Sequence, residues 1–179
     1  MKRVNVALFV ALVVMGVLIS SPAYPLRYLT HQAVTFEDDP IRIEDINVRE
    51  IWKEKRFESF IRCTVELRNG PRTVEAYAIG FVLCDVFNDY LSTYRGISMN
   101  EINENNEIST TWDFTPHWGF EPHEGWMAYT AIVYVDRVRF ADGSVWRQDR
   151  AKLSDKMKEI GVLFQEEHLI EPRIVMGPQ

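Results

Sequence analysis

The sequence lacks a surplus of basic charge. Its 179 residues include 20 Lys and Arg against 26 Asp and Glu, which gives a formal net charge of −6 at pH 7 and a pI near 5.3. A protein that binds nucleic acid needs a basic surface to neutralise phosphates, and this composition offers no surplus for one. We therefore expect no nucleic acid among its partners.

The sequence also lacks the motifs that accompany catalysis. It contains no G-x-S-x-G nucleophile elbow, no Gly-rich phosphate loop and no H-E-x-x-H metal site. Neither of its two cysteines, Cys63 and Cys84, lies in a recognisable catalytic setting. These absences predict a protein that is not an enzyme and that uses no cofactor.

Residues 1–23 have the form of a signal peptide. Lys2 and Arg3 precede an apolar run at residues 4–19, and the small residues that end in Ala23 fit the pattern cut by signal peptidase. We expect cleavage after Ala23. An uncleaved membrane anchor is the alternative, although the run is shorter than the usual span of about 20 residues. Either way, the domain is expected outside the cytoplasm, where it is secreted, periplasmic or on the cell surface.

An exported protein with two cysteines could form a disulfide, because its compartment is oxidising. We nevertheless predict that Cys63 and Cys84 stay free. If their strands leave the turn at residues 69–73 side by side, the two positions are offset by about five residues, which is about 16 Å at the rise of a strand. A disulfide tolerates Cα atoms only about 4.4–6.8 Å apart.

Strand signals dominate residues 41–149, which follow a leader at residues 24–40. Residues 61–67 alternate apolar and polar side chains, which is the pattern of a half-buried strand. Residues 74–87 and 127–140 are apolar on both faces, which indicates central strands. About six or seven strands with turns between them predict an all-β protein, an antiparallel β-sandwich.

Two local features of the sequence predict a bulge and a hairpin turn. A change of phase in the apolar pattern near Glu44-Asp45 predicts a β-bulge. Asp142-Gly143 has the composition of a tight hairpin turn and leads into Val145-Trp146. The long strand before this turn is therefore expected to pair with the short segment after it.

After Asp149 the spacing of the apolar side chains becomes helical. Leu153 and Met157 lie one turn apart, so an amphipathic C-terminal helix is predicted over residues 150–169 and is expected to pack on the sandwich. The tail at residues 170–179 contains two prolines and is expected to be flexible.

Residues 81–85, Phe-Val-Leu-Cys-Asp, resemble the motif that gives its name to the bacterial and archaeal FxLYD family of immunoglobulin-like domains. Phe81, Leu83 and Asp85 match, whereas Cys84 replaces the tyrosine. The resemblance covers residues 41–147 in outline. It implies an exported, immunoglobulin-like β-sandwich that serves in adhesion or binding, with no catalytic residues to carry over. Within the motif, Phe81 and Leu83 are expected to fill the core, and Asp85 to accept hydrogen bonds from the turn that follows.

Three of the five tryptophans lie in residues 111–126. Trp112 shares a strand phase with Phe114 and is expected to face the core. We expect Trp118, Phe120 and Trp126 to cap one end of the sandwich, because large aromatic side chains fill such ends well. The alternative is that these three residues form an exposed ligand-binding platform on which sugar rings stack.

The same stretch contains side chains that could bind metal or act as acids and bases. His117 and His123 lie near Glu121 and Glu124, but their spacing matches known metal sites only loosely, so no metal is predicted. Paired carboxylates could serve a glycosidase, yet nothing in the sequence fixes the distance between these two.

We therefore predict an exported binding or structural module without catalytic activity, whose partner is an unknown protein or a cell-surface polysaccharide. One alternative is a carbohydrate-binding module that uses residues 112–126. The other is an extracytoplasmic hydrolase that uses the acidic residues at 121–124. Contact with a membrane is expected only through an uncleaved N-terminal segment.

Overall fold

The computed structural model describes residues 27–53, 58–115, 128–162, 165–169 and 172–176. Within these residues the chain forms ten strands, one α-helix and one 3₁₀ turn. In chain order, the elements are β1 (Arg27–Tyr28), β2 (Thr30–Val34), β3 (Ile41–Lys53), β4 (Glu58–Asn69), β5 (Val74–Cys84), β6 (Tyr90–Ser98), β7 (Glu107–Phe114), β8 (Thr130–Phe140), β9 (Val145–Arg147), α1 (Arg150–Glu159), the 3₁₀ turn (Glu166–Leu169) and β10 (Arg173–Met176).

The strands form two sheets that pack face to face. The four-stranded sheet has the order β1-β3-β4-β7, and the six-stranded sheet has the order β10-β6-β5-β8-β2, with β9 paired to β8. All pairs are antiparallel except the two outermost pairs of the six-stranded sheet, β10 with β6 and β2 with β8. The predicted β-sandwich with a C-terminal helix is confirmed, and its immunoglobulin-like topology stays a prediction.

The alternation of side chains in the sequence places the core between the sheets. Along β4 the apolar side chains at 61, 63, 65 and 67 are buried, whereas the side chains between them face outward. The predicted bulge is present, because the register of β3 against β4 shifts between Ile43 and Asp45. The shift lets Ile41 and Ile46, five residues apart, both reach the interior.

Trp112 and Phe114 of β7 lie in this core, as their shared phase predicts. The Trp112 ring meets the edge of the Tyr77 ring, with centroids 6.3 Å apart, and its centroid lies 5.5 Å from that of Phe81. Beneath it is Gly96, where an added Cβ would come within 2.6 Å of the indole nitrogen. The indole therefore joins β7 of one sheet to β5 and β6 of the other.

A second, smaller core lies on the outer face of the six-stranded sheet. Leu153 and Met157 of α1 are buried there against Val82 and Cys84 of β5 and Ile132 of β8. The strand β5 is therefore covered on both faces, which explains its continuous apolar sequence. No helix among the described residues is long and apolar enough to cross a bilayer.

The helix is shorter than the predicted range of 150–169. Asp149 caps its start by accepting hydrogen bonds from two backbone amides, and it ends at Glu159. Gly161 follows with a φ of +84°, and the amide of Val162 donates to the carbonyl of Met157. This is a Schellman ending, in which a residue without Cβ adopts the left-handed conformation. The glycine terminates the helix, and a separate 3₁₀ turn follows at residues 166–169.

Parts of the predicted leader and tail are ordered strands. In the leader at residues 24–40, β1 pairs with the four-stranded sheet and β2 with the six-stranded sheet. In the tail at residues 170–179, Arg173–Met176 pairs in parallel with β6, so the expectation of a flexible tail is wrong for these residues. The sequence did not indicate these strands, because short edge strands with exposed side chains lack a clear apolar alternation.

Cys63 and Cys84 are free thiols, as predicted, and both are buried. They lie in different layers. Cys63 faces the core between the sheets, whereas Cys84 faces α1 on the opposite side of the six-stranded sheet. The two thiols are therefore kept apart mainly by the six-stranded sheet that lies between them, and not by the offset along the strands on which the prediction was based.

Candidate functional site

The residues that the sequence offered as a ligand platform, Trp118, Phe120 and Trp126, lie outside the described residues. The same holds for His117 and His123 and for the carboxylates at 121 and 124. The stretch is described only up to residue 115, where Trp112 and Phe114 are buried in the core. These two aromatic residues are therefore structural, and a ligand site has to be sought elsewhere in the described chain.

One groove lies at the end of the sandwich where β4 passes into β5 and β8 into β9. It has a volume of about 480 Å³, and we call it the hairpin groove. Three segments of the chain line it: residues 38–40 ahead of β3, residues 70–72 after β4, and residues 140–146 around the hairpin. Antiparallel pairing of β5 with β8 brings the last two segments to the same end, because Val74 faces Phe140 in the register.

Asn69 fixes the turn on one side of the groove. Its side chain is buried, and its Nδ2 atom donates to the carbonyl of Arg72 at 2.8 Å and to that of Ile102 at 2.9 Å. The amide of Gly70 donates to the carbonyl of Pro40 at 3.1 Å, which joins the turn to the segment ahead of β3. These hydrogen bonds tie the turn to the segments on both sides of it.

Arg72 is held against the hairpin on the other side of the groove. Its guanidinium lies 3.6 Å from the centroid of the Phe140 ring, a cation–π distance. One of its nitrogens is 2.6 Å from Asp142 and 2.7 Å from the hydroxyl of Ser144. The hydroxyl and amide of Ser144, together with Arg72, lower the pKa of Asp142 to about 2. The carboxylate is therefore charged at neutral pH.

Trp146 supplies the aromatic surface of the groove. It pairs with Val138 in the register of β9 with β8, and its side chain packs against the core while staying partly exposed. Next to it, Val145 is half exposed. With Pro40 and Pro71 these side chains give the groove an apolar floor, and Asp38, Arg72 and Ser144 add polar groups.

Asp39 lies beside the groove and has an unusual environment. Its Oδ2 atom accepts a hydrogen bond from the amide of Phe36 at 2.8 Å, whereas its Oδ1 atom is buried without a partner among the described residues. Burial, with a smaller contribution from the charge of Asp38, raises the pKa of Asp39 to about 6. The carboxylate is structural, since it closes the turn that leads to Pro40.

Several charged side chains elsewhere on the six-stranded sheet form ion pairs. Asp136 of β8 lies 2.7 Å from Arg95 of β6 and 2.9 Å from Arg137, and Arg139 lies 3.0 Å from Glu75. Two of these ion pairs, Arg95–Asp136 and Arg139–Glu75, join different strands of the sheet. In the part of the chain that the structure describes, no group of three His, Cys, Asp or Glu side chains could hold a metal ion.

Comparisons with known proteins add no functional information. No protein-family model matches the chain, and no curated protein matches it. Among solved structures the chain is similar to a hypothetical protein of Peptoclostridium difficile 630, whose X-ray structure at 1.85 Å gives a TM-score of 0.47 and 13% sequence identity. The match covers 69% of this chain and 92% of that chain. The resemblance to the FxLYD family stays a prediction.

The hairpin groove cannot be recognised in the sequence alone. The Asp142-Gly143 turn and the turn after Asn69 are both visible there, but only as separate connections. The groove could have been predicted by assuming that the two central strands, β5 and β8, are antiparallel neighbours. The turn before β5 and the turn after β8 then lie at the same end of the sheet. No pattern in the sequence predicts the contact between Arg72 and Phe140.

Proposed function

We propose that the protein is an exported, non-catalytic binding module that takes its ligand in the hairpin groove. The observation that carries this proposal is the fixed position of the Arg72 side chain. Its guanidinium stacks on Phe140 and is held by Asp142 and Ser144, next to the partly exposed Trp146. Side chains fixed before a ligand arrives lose little conformational entropy on binding, which favours recognition.

The chemistry of the groove favours a polysaccharide. A sugar ring has apolar faces that stack on an indole and hydroxyl groups that need hydrogen-bond partners. Trp146 offers the first kind of surface, and Asp38, Arg72 and Ser144 offer the second. The groove is partly open to solvent, so part of a longer chain can lie in it. The implied adhesion or binding role of FxLYD-like domains agrees with this proposal.

A glycan array with the full chain tests the proposal, followed by titration of the best polysaccharide. Trp146→Ala and Arg72→Ala are expected to weaken binding at least about tenfold, because each removes a main contact, equivalent to about 1.4 kcal/mol. Met99→Ala serves as the matched control, since Met99 is exposed and does not line the groove. Its affinity should equal that of the unmodified protein.

The test also separates the groove from the Trp-rich stretch. Loss of binding in Trp118→Ala, with full binding in Trp146→Ala, would assign the ligand to the stretch at residues 112–126. Absence of any glycan ligand would contradict the polysaccharide as the partner. Binding that survives both groove variants and the Trp118 variant would contradict both sites.

A further inference from the structure

The end of the sandwich opposite to the hairpin groove exposes four large apolar side chains. They are Tyr28, Val86, Phe87 and Tyr129, with exposed fractions of 63%, 59%, 80% and 51%. We call this set the apolar tip. Exposed apolar side chains that cluster on one surface usually mark a contact with another partner.

Backbone hydrogen bonds show that these residues share one end. The amide of Tyr129 donates to the carbonyl of Cys84 at 2.8 Å, and the amide of Thr30 donates to the carbonyl of Tyr129 at 3.0 Å. Val86 and Phe87 follow Cys84 directly, and Tyr28 precedes Thr30. The end of β5, the start of β8 and the entry of the chain into the domain are therefore neighbours.

The turn that carries Val86 and Phe87 is closed by hydrogen bonds to Asp85. The Oδ1 atom of Asp85 accepts from the amide of Phe87 at 2.8 Å and from that of Asp89 at 2.9 Å, as the motif residue was expected to do. Asn88 has a φ of +64°, which completes the turn. Phe87 is thus held in solvent by a defined backbone and does not fold back onto the sheet.

The chain reaches this same end from its apolar N-terminal run. Residues 4–19 are the apolar run, and residues 20–26 connect it to β1 at Arg27. At most about 3.3–3.6 Å per extended residue, this connection spans no more than about 25 Å. If the run stays in a bilayer, the apolar tip is the part of the domain nearest to the lipid.

We propose that residues 4–19 are retained as a membrane anchor and that the apolar tip docks on the bilayer surface beside them. Tyrosine rings are enriched at the boundary between headgroups and acyl chains, where a ring is buried while its hydroxyl stays in water. Docking would remove Tyr28, Phe87 and Tyr129 from water. The sequence alone favours cleavage after Ala23, and the position of the tip is what favours retention.

The orientation also places the hairpin groove. The strand β5 has 11 residues and runs from the groove end to the tip, which is about 33 Å at strand rise. A domain that stands on its tip presents the groove away from the membrane. The proposal does not depend on the groove binding a polysaccharide, because the two ends are tested separately.

The test uses the full chain in vesicles of phosphatidylcholine and phosphatidylglycerol that contain a spin-labelled lipid. An NBD fluorophore is attached through Phe87→Cys, with Met99→Cys at the other end as the matched control. Cys63 and Cys84 are buried and should take up little dye. We expect blue-shifted emission and several-fold stronger quenching at position 87 than at position 99. Equal quenching, or a chain that stays out of the vesicles, would overturn the proposal.

A second comparison separates docking from mere tethering. The label is moved to Tyr129→Cys, and Val86 and Phe87 are both replaced by Ser. If the apolar side chains hold the tip on the lipid, quenching should fall; unchanged quenching would show that the anchor alone sets the distance. N-terminal sequencing in the producing cell should find Met1 in the membrane fraction, and a mature chain that starts at Tyr24 would contradict the anchor.

Discussion

Single side chains set the distance between the two sheets, and Trp112 is the largest of them. It is 1% exposed, and its indole nitrogen donates to the carbonyl of Ile97 at 3.4 Å. The ring fills the space that Gly96 leaves open, since any Cβ there would overlap it. The fit requires both residues, a large one on β7 and the smallest one on β6.

Trp112→Ala is expected to lower the free energy of unfolding by about 3–5 kcal/mol, because it removes a buried aromatic ring and leaves a cavity. Gly96→Ala is expected to cost about 1–3 kcal/mol through overpacking against the same ring. Urea unfolding measures both. Ser109→Ala, on the exposed face of the same strand, is the control and should change stability little. A Trp112 variant as stable as this control would contradict the role of the ring as a core side chain.

Asp39 gives the protein a pH-dependent stability. Its pKa in the folded state is raised from 3.8 to about 6, so between these values the folded state holds the proton more tightly than the unfolded state. The free energy of unfolding is therefore expected to fall as the pH rises from about 4 to about 6. Above about pH 6, Asp39 causes no further change in stability. Partial exposure to solvent limits the effect to about 1 kcal/mol.

Asp39→Asn tests this assignment, because the amide keeps an acceptor for Phe36 and removes the charge. The variant should be more stable than the unmodified protein at pH 7 and no more stable at about pH 3.5, where the carboxyl of the folded protein is protonated. Thermal unfolding across this range measures the difference. Asp45→Asn, at an exposed position, is the control. The same pH-dependent gain in both variants would refute a special role for Asp39.

At the scale of elements, the ends of helices and strands follow from local chemistry. The helix α1 begins at the Asp149 cap and ends where Gly161 adopts a positive φ. The strand β5 ends at Asp85, whose carboxylate satisfies the amides of the turn. In each case one residue provides what the backbone needs once regular hydrogen bonding stops.

Gly161→Ala is expected to destabilise the protein by about 1 kcal/mol, since an L side chain is strained at this φ. Nothing lies within 4 Å of the added Cβ, so the cost comes from the backbone and not from a clash. Gly161→Asn should cost less, because asparagine enters the left-handed region more readily. Chemical denaturation compares the two; an alanine variant no less stable than the asparagine variant would contradict the Schellman ending.

The whole molecule is a stack of three layers: the four-stranded sheet, the six-stranded sheet and the helix. Cys63 belongs to the first interface and Cys84 to the second. Burial raises the pKa of both thiols, that of Cys84 to about 12 with a further contribution from Asp85 and Asp89. The reactive thiolate is therefore scarce in the folded protein.

Thiol counting should find two reactive thiols in the denatured, non-reduced protein and almost none in the native protein within the same time. The first result follows from the sheet between the two side chains, and the second from their burial. Ellman's reagent measures both. Reactive thiols in the native protein would show that one of the layers opens. A denatured monomer without free thiols would contain a disulfide between Cys63 and Cys84, which would contradict their placement in different layers.

The sequence by itself determined the strands of the core and the ends of several elements. The alternation in β4, the two-faced pattern of β5, the bulge at Glu44-Asp45 and the shared phase of Trp112 and Phe114 are local properties, and the structure has all of them. Such features are readable because each depends on neighbours within a few residues, which the sequence places side by side.

Only the tertiary structure decided which segments meet. The hairpin groove joins Arg72 to Phe140 across 68 positions of the chain, the apolar tip joins Tyr28 to Tyr129, and β2 and β10 find their places as edge strands. These contacts depend on the order of the strands in each sheet. The order cannot be predicted from the apolar and polar pattern of short edge strands and loops. Their positions are set by the hydrogen-bonding edges and packed faces that the core strands offer once the core has formed.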